Sequence, residues 1–593
     1  AALGGSSAAR NLALLTRENA FVEPVPGHPG CYRYHPFFRD LLRATLSYEA
    51  PQELERLHRV AAEWFADQGE VEESVGQLAA IHAWDEAAGR VVVDHGLGGL
   101  LLHGSSGALR ARLTNMPRAT TGPAALLVRA ALSLVQGEGV HSGRDLARAR
   151  QAIDSAPGEP DDDAEVALAV LDALRARNDA DPQVAREQAD RAETASSSTA
   201  GVRADPDPLL VGLVGTSKGI AALRAGDLAV AGEAFTEVTS AATPPELVLA
   251  AEPEGFLALL ACFRGRLSLA AEQASQALAV AERIGIPAEE RPCAASLALA
   301  WVALERCDLP AAMGHAAQAE RSHFLGGDPV TRAVLALIRS RIEAARGHLP
   351  GALSIVQAAI AEAPPDEWSA DVLHLEAARV ALAQVKLGLV EEHLTLSSGR
   401  GEAETVLLEV QLALVRGEDP DVDKVQVVLQ ASPALHVQVN GLLALAAARL
   451  RSGSPGRARV AVDRALRLAA GEHLRRPFHE AAPGVREMLL NDAGLLARHQ
   501  WLGPDERSPV DRTKAAPKPT RADAAPVLEE LTPRELEVLV HLAELLSTEE
   551  IASAMFVSVN TVRTHVRSIL RKLGVPRRNA AVRRARELEL IVS

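Results

Sequence analysis

The sequence predicts an all-α protein: a long α-solenoid followed by a small four-helix module. Three observations predict it. Apolar residues make up 48% of the 593, aromatics only 3%, and Ala and Leu dominate the apolar set. Ala and Leu lose least on entering a helix, whereas strand formers such as Tyr, Phe and Ile are sparse. A turn centred on Gly recurs at near-equal spacing through the middle of the chain. After a Pro-rich, charged stretch, residues 528–593 return to apolar positions at i, i+3, i+4 and i+7. At roughly 100–200 residues per domain, the chain is too long for one compact core and calls for several modules or a repeat array.

Residues 1–48 are short and mixed, with a turn at Pro24, Pro26, Gly27, Pro29 and Gly30. Tyr34, His35, Phe37 and Phe38 read as packing residues. Residues 49–502 are almost entirely helical in pattern. Within them R-A-G-D-L-A-V-A (224–231), F-R-G-R-L-S-L-A (263–270), E-R-C-D-L-P-A-A (305–312) and A-R-G-H-L-P-G-A (345–352) resemble one another. Their turn residues Gly226, Gly265, Cys307 and Gly347 are 39, 42 and 40 apart, and Gly388 follows 41 later. Gly suits the left-handed position that closes a helix. A period near 40 with two helices per unit is that of an α-solenoid. Looser copies occur at Gly69 and Gly453. Stretches 155–165, 195–208 and 396–404 read as loops between helices, including the acidic Asp161-Asp162-Asp163.

Residues 503–527 (GPDERSPVDRTKAAPKPTRADAAPV) are rich in Pro and charge. They bury too little surface to offset ordering entropy and read as a flexible linker. In residues 528–593, Thr532-Pro533-Arg534-Glu535 opens a helix with the stripe Leu536, Leu539, Val540 and Ala543. Ser547-Thr548-Glu549-Glu550 caps a short helix that buries Ile551, Ala552 and Met555. A tight turn at Phe556-Val557 and a cap at Ser558 lead to a longer helix. Its core face is Val562, Val566, Ile569 and Leu573, opposite Arg563, Thr564, Arg567 and Arg571. A turn at Gly574-Val575-Pro576 precedes a fourth helix.

A short helix, a tight turn and a longer helix with an exposed Arg/Thr face form a helix-turn-helix. A helix fits the major groove, Arg makes two hydrogen bonds to guanine, and a Thr methyl meets thymine. His565, Arg571, Lys572, Arg577 and Arg578 flank the helix and suit phosphates, which position without specifying. Charge agrees. The chain carries −15 in total, but residues 551–593 hold nine Lys/Arg against two Asp/Glu. The acidic total excludes a protein that coats nucleic acid along its whole length.

The string LTPRELEVLVHLAELLSTEEIASAMFVSVNTVRTHVRSILRKLGVPRRNAAVRRA resembles the LuxR/GerE-type helix-turn-helix. The resemblance implies that Arg563, Thr564 and Arg567 face bases. It implies that Ser558, Thr561, His565 and Lys572 lie at the DNA backbone or support the fold, and that Glu535 is mainly structural. The family's fourth helix dimerises, which makes Ala581, Val582, Ala585 and Leu588 dimer candidates. Two departures stand out. Glu544-Leu545-Leu546 replaces the usual Gly between the first two helices, and Glu549 replaces a usual Lys.

N-L-A-L-L-T-R-E-N-A-F-V-E-P (11–24), Y-R-Y-H-P-F-F-R-D-L-L-R-A-T-L (32–46) and residues 56–75 resemble the winged helix and first helical pair of large ATP-binding LuxR regulators (MalT-like, a STAND group). There the winged helix follows a nucleotide-binding core and leads into a TPR-like solenoid. The sequence itself holds no G-x-x-x-x-G-K-[ST]. Gly212-Leu213-Val214-Gly215-Thr216-Ser217-Lys218 comes nearest, but Lys218 does not follow the Gly. There is no H-E-x-x-H and no G-x-S-x-G. The sequence motifs thus point to no catalytic residue, no metal and no cofactor in this chain, and the resemblance leads one to expect ATP only if an NTPase domain lies upstream. The opening without Met fits a fragment or a processed form.

The four cysteines (Cys31, Cys262, Cys293, Cys307) are far apart and form no C-x-x-C, so a reducing compartment is expected. No apolar run reaches the roughly 18 residues of a membrane span, and no signal peptide is evident. The sequence thus implies a cytoplasmic bacterial transcriptional regulator, activation being the commoner family outcome. Its partners would be double-stranded promoter DNA, RNA polymerase, an unidentified small-molecule or protein inducer, and a second copy on DNA. Two rivals stay open: an interaction scaffold with a degenerate DNA module, and part of a signalling ATPase.

Overall fold

The computed structural model describes residues 14, 21–24, 32–94, 96–101, 107–156, 161–178, 181–199, 208–241, 247–322, 328–362, 368–397, 402–502, 533–543, 548, 551–552, 555, 559–572, 581–582 and 585. The chain divides into two compact units, Ala1–Pro504 and Asp505–Ser593. The linker 503–527 lies outside the described residues.

The first unit begins with an antiparallel hairpin of strands Val22–Pro24 and Tyr32–Tyr34, with Val22 opposite Tyr34. The His35 N–H donates to the Phe21 carbonyl at 2.7 Å. Phe21 stacks on Phe38 at 5.1 Å, and Tyr34 lies 6.0 Å from Phe38. Phe37 corrects the sequence reading, being 74% exposed rather than packed. Pro36 and Pro51 each open a helix (Pro36–Glu49 and Pro51–Asp67) where a missing N–H costs nothing.

From Pro51 to Arg498 the described chain is largely helical, most helices packing on the next. First helices of successive pairs also touch: Leu247–Phe263 meets Cys293–Glu305, which meets Pro329–Ala345, which meets Trp368–Ala383. Contacts to the neighbour and the next-but-one are what make a stack of hairpins a solenoid. Sequence separates the two roles. The Cys293–Glu305 helix is apolar almost all round and buried almost throughout. Its partner Leu309–Glu320 buries only Ala312, Ala316 and Ala319, a narrow stripe of small side chains that lets two helices approach.

The turns share one backbone solution. Gly226, Gly265, Cys307 and Gly347 all have φ between 62° and 86°. At Gly226 the N–H donates to the Leu223 carbonyl (3.0 Å) and the Asp227 N–H to the Ala222 carbonyl (2.9 Å). The same pair recurs at Gly347, from its own N–H to Ala344 and from His348 to Glu343, both at 2.9 Å. This is the Schellman closure, which satisfies carbonyls the helix leaves unpaired. Gly388 is a correction: it lies inside the Leu387–Leu396 helix, and the turn residue is Val385 with φ 58°. Gly417 is a further turn of this type, with φ 82°. The expected loops are shorter than read. The Pro182–Thr199 helix extends through 195–199. Asp161 caps the Asp162–Ala176 helix, accepting the Ala164 N–H at 3.2 Å.

The last pairs fold back on earlier ones. Val439, Leu442, Leu466, Leu474 and Phe478 share one hydrophobic core with Phe256, Leu259, Leu267 and Leu297. The Leu435 N–H donates to the Arg264 carbonyl at 3.4 Å. Among the described residues, no helix is long and apolar enough to cross a membrane.

Two predictions follow from turn and packing chemistry. A left-handed β-branched residue carries strain of about 1–2 kcal/mol, partly offset by the extra chain entropy a Gly would lose. Val385→Gly should therefore raise the solenoid's unfolding free energy in urea by about 0.5–1 kcal/mol, and Gly347→Val should lower it by about 1–2 kcal/mol. Gly347 has open space around its Cβ position, so that loss isolates backbone strain. The second concerns His374 and His393, whose Nδ1 atoms lie 3.0 Å apart, one donating to the other. Burial lowers both pKa values, the neighbouring ring lowers that of His393 further, and Asp371 and Glu392 oppose the shift. The folded rings bind fewer protons than unfolded ones, so their stabilisation is full above the ordinary pKa of about 6.5 and is lost as pH falls below it. Thermal stability should drop on acidification from about pH 7 to 5.5, and His374→Gln with His393→Gln should flatten the slope. An unchanged slope would rule the pair out as its source.

Candidate nucleic-acid interface

The second unit is built around one small core: Val538, Leu539, Leu542, Ile551, Ala552, Val562, Val566, Ile569, Ala581 and Ala585. The Pro533–Ala543 helix enters this core one position out of register with the sequence reading. Val538, Leu539 and Leu542 are buried, while Leu536 and Val540 are exposed. The buried stripe is Glu535, Val538, Leu539 and Leu542, again at i, i+3, i+4 and i+7, and it begins with a carboxylate. Periodicity alone selects Leu536 because Glu535 counts as polar.

Glu535 is only 5% exposed, and its partners account for that burial. Its Oε1 accepts the Ser568 hydroxyl at 2.5 Å, and its Oε2 pairs with the Lys572 ammonium at 2.8 Å. Both partners lie on the Val559–Lys572 helix, so one carboxylate pins the first helix to the longest. Buried carboxylates persist when paired and hydrogen-bonded in this way. The Lys572 side chain is mostly covered in this pair, 12% exposed. This corrects its assignment to the DNA backbone and agrees with the fold-supporting role that the resemblance also allowed.

The Val559–Lys572 helix has two faces. Val562, Val566 and Ile569 are buried. Thr561, Thr564 and Arg567 are exposed, and His565 is half-buried. Arg563 is one helical turn before Arg567; the Arg563 and Arg571 side chains lie outside the described residues. The same is true of Ser558, Leu573, Arg577, Arg578 and Leu588, and of the caps Thr532 and Ser547. Thr548 is buried and helical. The dimer candidates need correction. Ala581 and Ala585 are fully buried in the module's own core, which removes them from any dimer surface, and Val582 is half-buried against the same core.

The other sequence candidates resolve as scaffold. Gly212 to Lys218 lies within the Pro208–Arg224 helix, so its backbone cannot form a phosphate cradle. Gly215 and Gly219 stand where a Cβ would strike Val238 and Phe235 of the neighbouring helix, so their spacing serves close packing. Lys218 pairs with Glu193 at 2.8 Å. Among the described residues, no three His, Cys, Asp or Glu are grouped to hold a metal.

The Glu535 clamp makes a prediction. Glu535→Ala leaves a buried Lys572 ammonium without its carboxylate, a loss of about 3–5 kcal/mol for a broken buried pair. The module should melt separately and earlier in calorimetry of the full chain, while the solenoid transition stays in place.

Residues 529–585 match the model of bacterial regulatory proteins of the luxR family, and residues 1–54 match the MalT winged helix domain. The response regulator protein VraR of Staphylococcus aureus is 48% identical over 58 residues, 10% of this chain and 28% of that relative. VraR of Staphylococcus epidermidis gives the same figures. The chain thus spans 28% of the length of these curated relatives. Among solved structures, a Rap protein complexed with competence and sporulation factor aligns with 59% of this chain and 98% of its own, at 11% identity and a TM-score of 0.42. Aspartyl phosphate phosphatase F from Bacillus subtilis covers 59% and 95%, at 11% identity and a TM-score of 0.31. Scores this low assign nothing to the present chain. The two family matches do: the chain carries a luxR-family DNA-binding domain in residues 529–585 and a MalT winged helix domain in residues 1–54.

Proposed function

We propose that the chain is a transcriptional regulator that reads promoter DNA through the Val559–Lys572 helix and receives its signal through the solenoid. The observation that carries this reading is the exposed Thr561–Thr564–Arg567 face, set opposite a core-facing Val562–Val566–Ile569 stripe. That arrangement presents donors and methyl groups outward from a rigid helix, which is what major-groove readout needs. The match to the luxR family over the same residues supports it.

The remainder of the proposal follows the family. The regulator acts in the bacterial cytoplasm, as an activator that engages RNA polymerase, and binds as a dimer through the fourth helix. Because Ala581 and Ala585 are buried, the dimer surface must use other residues of that helix. The role asks for no catalytic group and no cofactor within this chain, and ATP would enter only through an upstream NTPase domain. The inducer, a small molecule or a protein, would bind the helical repeats.

Mobility shift of the full chain on a sequence selected from random duplex tests the DNA assignment. Arg567→Ala should weaken the specific complex by about 1–3 kcal/mol, roughly 5- to 150-fold, and relax preference at one base step. Arg563→Ala should do the same at a neighbouring step. Binding to random duplex should fall steeply with salt and be largely insensitive to which of the two is changed. Unchanged sequence preference in the double variant would sink the base-reading assignment.

A further inference from the structure

Charge changes sign at the end of the solenoid. Residues 1–448 hold 37 Lys/Arg against 59 Asp/Glu, whereas residues 449–500 hold ten against five. A basic count does not by itself make a face. Residues 107–150 hold seven arginines against two acids, yet Arg110 donates to the Leu100 carbonyl, Arg129 pairs with Asp145, and Arg150 pairs with Asp172. Within 449–500 some arginines are taken up in the same way. Arg475 donates to the Trp501 carbonyl and Arg476 pairs with Glu305, both inside the fold.

The Pro455–Ala470 helix differs. It buries a stripe of Ala458, Ala461, Val462, Ala465, Leu466 and Ala469. At 3.6 residues per turn, Arg457, Val460, Arg464, Arg467 and Leu468 fall within about 100° of one another on its other side. All five are exposed. Arg457 and Arg464 lie two turns apart, about 10 Å, and make no ion pair among the described residues. Arg467 and Arg498 share one carboxylate, Asp463, at 2.8 and 3.3 Å, and His499 Nε2 lies 3.0 Å from it. Those contacts fix the Ala493–Arg498 helix beside the basic row. Residues 503–532 join this end of the solenoid to the Pro533–Ala543 helix, and a chain of that length spans no more than about 100 Å.

The chemistry of the row selects its partner. Guanidinium groups held on a rigid helix match phosphate oxygens, which position a protein without specifying sequence. The row carries no aromatic side chain on which an unpaired base would stack, so it suits a duplex backbone and not a single strand. We propose that this row is a sequence-independent contact for duplex DNA, meeting phosphates that flank the site held by the DNA-binding module. The tether keeps those flanks at high effective concentration, out to roughly 30 base pairs at about 3.4 Å each. The place of the contact comes from the solenoid, and its partner rests on the DNA reading above.

The test is the salt dependence of binding by the full chain. Its selected sequence is presented in two duplexes, one trimmed to the site and one extended by about 30 base pairs on each side, between about 50 and 200 mM salt. Each phosphate contact contributes about 0.9 to the steepness of log affinity against log salt. Arg457→Gln with Arg464→Gln should lower that steepness by about 1.8 on the extended duplex and leave it unchanged on the trimmed one. Preference among site variants should stay native. Gln keeps helix propensity, and neither arginine holds an ion pair, so the fold is retained. Arg118→Gln with Arg144→Gln removes the same charge from two exposed arginines elsewhere on the solenoid and should leave both slopes native. Equal steepness for the native chain and the Arg457/Arg464 variant on the extended duplex overturns the proposal, and leaves an acidic protein segment as the partner of the row. An equal fall in both double variants also overturns it, because net charge and not a face would then be acting. If the native chain selects no sequence at all, the DNA reading fails and this proposal with it. A selected sequence with an unmoved slope overturns this proposal alone.

Discussion

The solenoid depends on one backbone conformation, repeated. At the end of a first helix a single residue turns left-handed, and two N–H groups return to carbonyls of the last turn. At Gly226 these bonds are 3.0 and 2.9 Å, and at Gly347 both are 2.9 Å. The closure satisfies groups that would otherwise be buried unpaired, and it fixes the direction in which the second helix leaves. Everything larger follows from that direction. The second helix must lie along the first, so it needs a stripe of small side chains, and Ala supplies it at 312, 316 and 319. A first helix such as Cys293–Glu305 is then enclosed on nearly all sides, which is why its sequence is apolar almost throughout.

The DNA-binding module relies on a different device. Its core is small, and a buried carboxylate adds direction to the packing. Glu535 is held by Ser568 and Lys572, both on the helix that presents Thr564 and Arg567. The Val559–Lys572 helix is therefore oriented by the same pair that buries Glu535 of the first helix.

The sequence made the repeats legible because a left-handed turn selects Gly, and Gly at near-equal spacing is visible. It misplaced the fifth turn because Val385 occupies the left-handed position and Gly388, three residues on, does not. In the module the error had the opposite source. The buried face includes Glu535, which pattern reasoning scores as solvent-facing, so the stripe was drawn through Leu536. Ala581 and Ala585 were ambiguous in principle, since a small apolar side chain suits a core and a dimer surface equally. The fold-back could not be read at all. Glu305, Arg475 and Arg476 look like solvated charges along the chain, and they are joined across more than 160 positions.

Charge shows the same limit from another side. The nine basic residues of 551–593 are a footprint for a polyanion, but the footprint overstates the contact. Lys572 is held within the fold by Glu535 at 2.8 Å. In the solenoid the same economy is general. Arg224 is fully buried and donates to the Ala176 and Arg177 carbonyls. Arg177 in turn is held by Ser217 and Glu252. These two arginines close helix ends and pair with a buried acid, and so are held within the fold. The solenoid and linker are net acidic by composition, in contrast to the basic balance of residues 551–593. The salt dependence of binding should accordingly report only those cations that the fold leaves free, fewer than the sequence count.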